Sequence, residues 1–300
     1  MYAIIQKRRY FYSLSLLLLI PGILSMIIWG FKFGIDFTGG SLLRLEFSKN
    51  VPATEIIQSA AKDAGIKNLS IQTTEEKGIS MRFEPITNDQ KETIISSLKK
   101  YDEKIVESSF ETIGPTIGSE LKRKSITAIA IVLILIVLYI SWAFRKVSVG
   151  PVPSWIYGVS GIVALVHDLV MVVGAFSIFG HFFGIEIDAL FVTALLTILG
   201  FSVHDTIVVY DRIRERLIGS AGKTYEEVVN ESMNQTMVRS INTSMTALLI
   251  LSALVLFGGG TIRNFVLALL IGIASGTYSS IFVASPILVT WNNFRQRRKT

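Results

Sequence analysis

Apolar residues gather into six runs long enough to cross a bilayer: 11–30, 126–144, 153–179, 189–210, 241–257 and 265–290. A spanning helix needs roughly 20 mostly apolar residues. In hydrocarbon the backbone must satisfy itself, so each run predicts a transmembrane helix. Lys7-Arg8-Arg9 precedes the first run, as in a secretory signal. That run exceeds the usual ~7–15-residue apolar core of a signal, and no small-residue cleavage site follows, so a retained anchor is expected.

Between the first two runs the period changes. Residues 41–47 alternate as a strand does, 52–64 form an amphipathic helix with Ile56, Ile57, Ala60 and Ala61 on one face, and 68–73 and 79–83 are strands about a turn at Glu75-Glu76-Lys77-Gly78. Thr87 is placed to cap a helix through Ile94, Ile95 and Leu98, and 105–113 closes the series as a strand. The order β-α-β-β-α-β matches the ferredoxin-like motif, a fold that hosts many functions. The expected division is therefore 1–31 (N-terminus and first span), 32–122 (an α+β domain), 123–292 (five further spans with a loop at 211–238) and a basic tail at 293–300. Thr224 and Glu227 form a capping box for a helix from Tyr225 to about Met237, expected to lie along the membrane surface before span five.

Composition and charge give the spans a direction. The chain is 50% hydrophobic and 17% charged, with a mean hydropathy of +0.53, and it holds no cysteine. Soluble domains carry about 25% charged residues, and disulfide scaffolds and cysteine-ligated metals are excluded. Residues 32–122 hold 12 Lys/Arg and 14 Asp/Glu, a net of −2, whereas the other 209 residues hold 17 and 9, a net of +8. The basic excess lies at the ends of apolar runs, as in a membrane protein and not a nucleic-acid binder. Lys7, Arg8, Arg9, Arg145, Lys146, Arg212, Arg214, Arg216, Lys223, Arg295, Arg297, Arg298 and Lys299 all fall on one side of a six-span arrangement, which predicts cytoplasmic termini and an extracytoplasmic 32–122 domain.

Ionisable residues inside such helices are costly and mark function by default. Asp168 follows His167 near the middle of the third run, and Asp205 follows His204 in the fourth. Helical neighbours are about 100° apart, so neither histidine is expected to stack on its aspartate. Asp205 lies about 7 residues, hence ~10 Å, from Arg212, and Arg239 enters span five from the same side. That depth permits an Asp205–Arg239 pair; snorkelling of Arg239 to headgroups is the alternative. Each aspartate equally suits a static interhelical hydrogen bond. Gly272, Gly276, Ser280 and Ala284 recur every fourth residue, a spacing that lets another helix approach, within the chain or from a second subunit. No nucleotide loop, nucleophile elbow or zinc-protease motif occurs, and no metal site is expected.

Three segments resemble one family. Gly34-Ile-Asp-Phe-Thr-Gly-Gly is similar to a signature of the SecD/SecF family of bacterial Sec secretion membrane proteins. Gly200-Phe-Ser-Val-His-Asp-Thr-Ile-Val-Val-Tyr-Asp-Arg-Ile-Arg-Glu and Asn234-Gln-Thr-Met-Val-Arg-Ser-Ile-Asn-Thr-Ser resemble its span-four and span-five motifs. The small 32–122 domain agrees with the SecF branch. The resemblance implies a six-helix half of the resistance–nodulation–division superfamily, acting in the bacterial inner membrane. It implies a SecD heterodimer partner, the Sec channel and an unfolded preprotein client, with protons as the coupling ion and no other cofactor. By this resemblance Asp205 and Arg239 carry the proton path, with lesser parts for Asp168, His204 and His167. Asp36, Gly39, Gly40, Asp211, Arg212, Asn242 and Thr243 are motif positions of structural weight. A small-molecule or lipid exporter of the same superfamily, and an unenergised scaffold of the channel, are the competing functions.

Overall fold

The computed structural model describes residues 2–48, 50–66, 69–74, 77–144, 151–219 and 222–298. Asn68, Glu75, Glu76, Arg145, Lys146 and Lys299, used above, lie outside the described residues. The chain divides into two units, one of residues 33–126 and one of residues 1–32 with 127–300.

The smaller unit contains α2 (Ile35–Thr38), β1 (Gly40–Glu46), α3 (Thr54–Asp63), β2 (Leu69–Thr74), β3 (Gly78–Phe83), α4 (Asn88–Lys99) and β4 (Val106–Ile113). Its four strands are all antiparallel, in the order β2-β3-β1-β4. Leu43 pairs with Met81 and Leu45 with Ile79, so the period-two alternation puts these four buried side chains on one face. Ile57 and Ala60 of α3 and Ile94, Ile95 and Leu98 of α4 pack against them. Thr87 and Gln90 cap α4 reciprocally. Asp102, 2% exposed, accepts from Ser48 N at 2.7 Å and Lys104 N at 3.1 Å, tying the turn before β4 to the end of β1.

Gly39 and Gly40 turn the chain from α2 into β1 with φ of 72° and 131°, which side chains with a Cβ rarely adopt. A Cβ on Gly39 would lie 2.7 Å from the Pro115 Cα, and one on Gly118 would lie 2.9 Å from the Gly39 nitrogen. The glycines thus seat α2 directly on the first turn of α5 (Pro115–Ala143). Arg82 donates to the Phe33 carbonyl at 2.9 Å and to the Thr38 hydroxyl, holding the other side of the same turn.

The larger unit is helical: α1 (Arg8–Ile28), the remainder of α5, α6 (Ser154–Phe183), α7 (Ala189–Ile218), α8 (Tyr225–Phe257), α9 (Gly260–Ser279), a π turn (Ser280–Ala284) and α10 (Ser285–Arg297). Among the described residues, six helical segments are long and apolar enough to cross a membrane. The apolar stretches of α7 and of α9–α10 are 50% and 61% buried, those of α5 and α8 only 6% and 11%, so α7 and α9 form the centre. Close approach relies on small residues. Gly22 of α1 crosses Gly174 of α6, where a Cβ on Gly174 would lie 2.7 Å from the Gly22 Cα, and Ser25 bonds Ser177 at 2.8 Å. Gly272 faces Ile198, Gly276 faces Ser202 and Ser280 bonds Thr206 at 2.9 Å. The stripe therefore seats α9 on α7 within the chain; its last member, Ala284, is fully buried in the core.

Two elements differ from expectation. No separate surface helix precedes span five: α8 runs unbroken from Tyr225, with Thr224 and Glu227 capping it. Neither Gly nor Pro interrupts this stretch, and Ser232, Thr236, Thr243 and Thr246 return their hydroxyls to carbonyls four residues back, so nothing ends the helix. Span six is not one regular helix either. Pro286 has no N–H to donate and its ring crowds the carbonyl of residue 282; the π turn absorbs this, and Ser285 donates its hydroxyl to the Ser280 carbonyl at 3.2 Å.

At the end of the bundle that carries the chain termini, the N-terminal arm is tied to α8. Asn230 accepts from Ile4 N at 3.0 Å and Ile5 N at 3.2 Å and donates to the Tyr2 carbonyl at 3.1 Å, while Asn234 exchanges two bonds with Tyr2. Ile4 and Ile5 are buried beneath it.

Gly39→Ala is expected to lower the melting temperature of the purified protein clearly more than Gly65→Ala. Both glycines have positive φ, 72° and 78°, but nothing lies within 4 Å of a Cβ on Gly65. A larger loss at Gly39 measures the clash with Pro115 together with its φ 72°, ψ 166° backbone, a region essentially restricted to glycine, and equal losses would remove both from the account.

Candidate functional site

The most completely bonded ionisable group in the bundle is Asp168 on α6. It is 0% exposed. Its Oδ1 accepts from Ser275 at 2.7 Å and contacts His167 Nδ1 at 3.0 Å; its Oδ2 accepts from Ser202 at 2.6 Å and Ser279 at 2.7 Å. One carboxyl group thereby joins α6, α7 and α9. His167 reaches Asp168 despite the 100° between helical neighbours, because both rings and carboxylates extend far enough sideways to meet at the helix surface. The His167 Nε2 is buried with no hydrogen-bond partner, and the ring lies 6.1 Å from that of Tyr278. Tyr278 in turn donates to the Phe11 carbonyl of α1 at 2.8 Å.

Asp205 lies on α7, 4% exposed, with far fewer partners. The Thr277 hydroxyl stands 3.4 Å from its Oδ2 and 2.5 Å from the Ser244 hydroxyl of α8. Residues 275 and 279 of α9 face Asp168, and residue 277 between them, about 200° round, faces Asp205. A single turn of α9 thus serves both acids.

The structure separates the other members of the expected proton path. Among the described residues Arg239 forms no ion pair; it is exposed on α8, and only its carbonyl is engaged, by Thr243 at 2.9 Å. Asn242, Thr243 and Thr246 are exposed beside it, at i+3, i+4 and i+7, amid exposed Val238, Ile241, Met245 and Leu249. His204 is exposed on α7, close enough to Asp205 for a charge interaction but without a hydrogen bond to it among the described residues.

The remaining motif residues organise the terminal end. Asp211 pairs with Arg214 at 2.7 Å. Arg212 pairs with Glu215 at 2.5 Å and donates to Gln235 at 2.7 Å, and Arg216 also donates to Gln235, at 3.1 Å, while pairing with Glu231. Gln235 thus locks α8 to α7, and Asn234 beside it holds the N-terminal arm. Asp36 is half-buried in the short helix α2. No group of three or more His, Cys, Asp or Glu able to hold a metal occurs among the described residues.

Residues 93–294 match the family model described as the C-terminal part of protein export membrane protein SecD/SecF, and residues 25–51 match the SecD/SecF GG motif. A protein translocase subunit SecF of Thermobaculum terrenum is 47% identical over 302 residues, covering 97% of this chain and 94% of that one. The chain belongs to the SecF family. The protein translocase subunit SecDF of Thermus thermophilus is 37% identical over 90% of this chain and 36% of its own. The crystal structure of SecDF, a translocon-associated membrane protein from that organism, superposes with a TM-score of 0.84 at 35% identity, over 97% of this chain and 39% of the solved one. SecDF in a super-membrane-facing form superposes at 0.70 with 32% identity. This chain spans about two fifths of the length of these solved chains.

Sequence reasoning found both buried acids but missed the serines that satisfy Asp168. Their signal was present: Ser275, Thr277, Tyr278, Ser279 and Ser280 are five polar residues within six positions of an otherwise apolar span, too many to be lipid-facing.

Asp168→Ala is expected to destabilise the bundle more than Ser279→Ala, which removes one interhelical bond worth about 0.6–2 kcal/mol. The full loss stays below the sum of the bonds, because Ser279 already has the Gly276 carbonyl at 3.2 Å as a second acceptor. Thermal unfolding of the two variants in one detergent checks the order.

Proposed function

We propose that this chain acts as a SecF subunit of the Sec protein translocase, paired with a SecD-like protein, and uses the proton gradient to promote late steps of preprotein export. The observation that carries the reading is the uncovered polar row Arg239, Asn242, Thr243 and Thr246 on a helix whose apolar stretch is only 11% buried. An arginine without an ion pair at the edge of an apolar span can snorkel to headgroups, but the three further polar residues beside it favour a cover, a second membrane helix bearing an acid. The family supplies such a partner, and in Thermus thermophilus the name SecDF denotes one chain of which this one matches 36%.

In this reading the termini are cytoplasmic and residues 32–122 form a ferredoxin-like domain outside the membrane, supported by the element order and by the basic residues at the terminal end. Asp205 takes up and releases the proton. It has few partners to lose on protonation, unlike Asp168, whose four contacts suit an anchor. Arg239, moving against Asp205 as the partner shifts, favours the ionised form and expels the proton; withdrawn, it leaves a carboxyl that desolvation makes ready to take one. Each proton crossing 100 mV releases about 2.3 kcal/mol, available to tilt helices and swing the attached domain. Channel and client would meet that domain.

Asp205→Asn, nearly isosteric, is expected to abolish gradient-driven export in vesicles with the ATP-driven step held constant, at normal protein levels. Arg239→Lys should not restore function fully, since an ammonium lacks the guanidinium fork. Full export by Asp205→Asn refutes the mechanism. Purification from the native membrane should bring the SecD-like partner with the chain, and Arg239→Ala should weaken that recovery; a solitary subunit refutes the partnership.

A further inference from the structure

A carboxyl group buried at 4% exposure needs a route by which its proton arrives and leaves. Neighbouring His204 and Arg239 are exposed, and among the described residues neither hydrogen-bonds Asp205. Thr277 is the hydroxyl at hand, 3.4 Å from Asp205 Oδ2. It stands 2.5 Å from the Ser244 hydroxyl and 2.9 Å from its own Ile273 carbonyl. The single Thr277 hydrogen therefore has three acceptors in reach: Asp205 Oδ2, a backbone oxygen within α9 and a hydroxyl on α8. Ser244 is 1% exposed, and Ser240, one turn nearer the terminal end of α8, is 2% exposed on the same face.

Resting on the proton-coupled reading above, we infer that Thr277 and Ser244 form a two-hydroxyl relay between Asp205 and the buried face of α8. On release, the Asp205 O–H bond breaks as Thr277 Oγ1 accepts that proton. Thr277 gives its own hydrogen to Ser244 Oγ, and Ser244 gives its own to a water beyond it towards Ser240. Asp205 is left as a carboxylate, and each hydroxyl ends with one hydrogen, as it began. Uptake runs the same transfers backwards. A hydroxyl can accept on a lone pair while donating its hydrogen, which no aliphatic side chain can do. Turning the Thr277 hydrogen onto the Ile273 carbonyl breaks the chain, so one threonine rotor opens and closes the route.

The test uses the full chain reconstituted with its SecD-like partner in vesicles carrying an internal pH dye. Gradient-driven proton flux and preprotein export are both read. Thr277→Val keeps the branched shape and replaces the hydroxyl by a methyl group, leaving no room for a substitute water. Thr277→Val and Ser244→Ala are each expected to slow flux about tenfold or more, a modest share of what positioned proton transfer contributes. Thr277→Ser should restore it to within about twofold of wild type, and the double variant should be no slower than the slower single one, because both interrupt one chain. Wild-type flux in Thr277→Val, with Asp205→Asn inactive, overturns the relay and leaves the proton-coupled reading standing. Wild-type flux in Asp205→Asn overturns the reading beneath it. Should Thr277→Val fail to assemble, Ser244→Ala decides alone: unchanged flux in it overturns the relay.

Discussion

Polar groups in a membrane interior have no water to turn to, and the helical unit is arranged around that constraint. Its answer is one turn and a half of α9. Ser275 and Ser279 bond α6 through Asp168, Thr277 reaches α7 and α8, Tyr278 reaches α1, and Ser280 bonds α7. Because consecutive helical residues point about 100° apart, a short polar segment addresses neighbours all round the axis. This explains why α9 is central although α8 is about as apolar and α5 more so. It also explains the small residues at 272 and 276: the hydroxyls reach α7 only if the two backbones approach closely.

The two acids use this segment differently. Asp168 is saturated with donors and joins three helices, so a change in its charge disturbs all of them. Among the described residues Asp205 has only the hydroxyls of Thr277 and Ser244 beside it, and under the proposed function its state would change with little rearrangement. Saturation and sparseness of hydrogen bonding distinguish the two, even though both residues are buried aspartates preceded by histidine.

Much of this was legible in the sequence. Hydropathy located the six apolar runs, and period-two alternation located the strands, since Leu43, Leu45, Ile79 and Met81 had to share a face. The caps at Thr87 and Thr224 were readable because the box needs only local chemistry. The unbroken α8 was not, because a polar stretch such as 231–244 looks like an interruption until its hydroxyls are seen bonding back along the helix. The Asp168 site was half legible: the acid stood out, but which serines reach it depends on how three helices are rotated, and that is fixed by Gly276 against Ser202 and Gly272 against Ile198, not by any local pattern. The glycines at 39 and 40 announced a turn, whereas their seat against Pro115 and Gly118 is a contact across more than 70 residues of chain.

The clamp on the N-terminal arm has a consequence for the order of assembly. Tyr2, Ile4 and Ile5 find their partners in Asn230 and Asn234, more than 220 residues later. During synthesis from the N-terminus, residues 2–5 thus wait for α8, made more than 220 residues later. Until α8 is inserted, the backbone donors of Ile4 and Ile5 have only solvent, and α1 has only α6 to hold it, through Gly22 and Ser25. Closing this loop ties residues made early to a helix made late, and a nascent chain halted before residue 230 would leave residues 2–5 loose and protease-accessible.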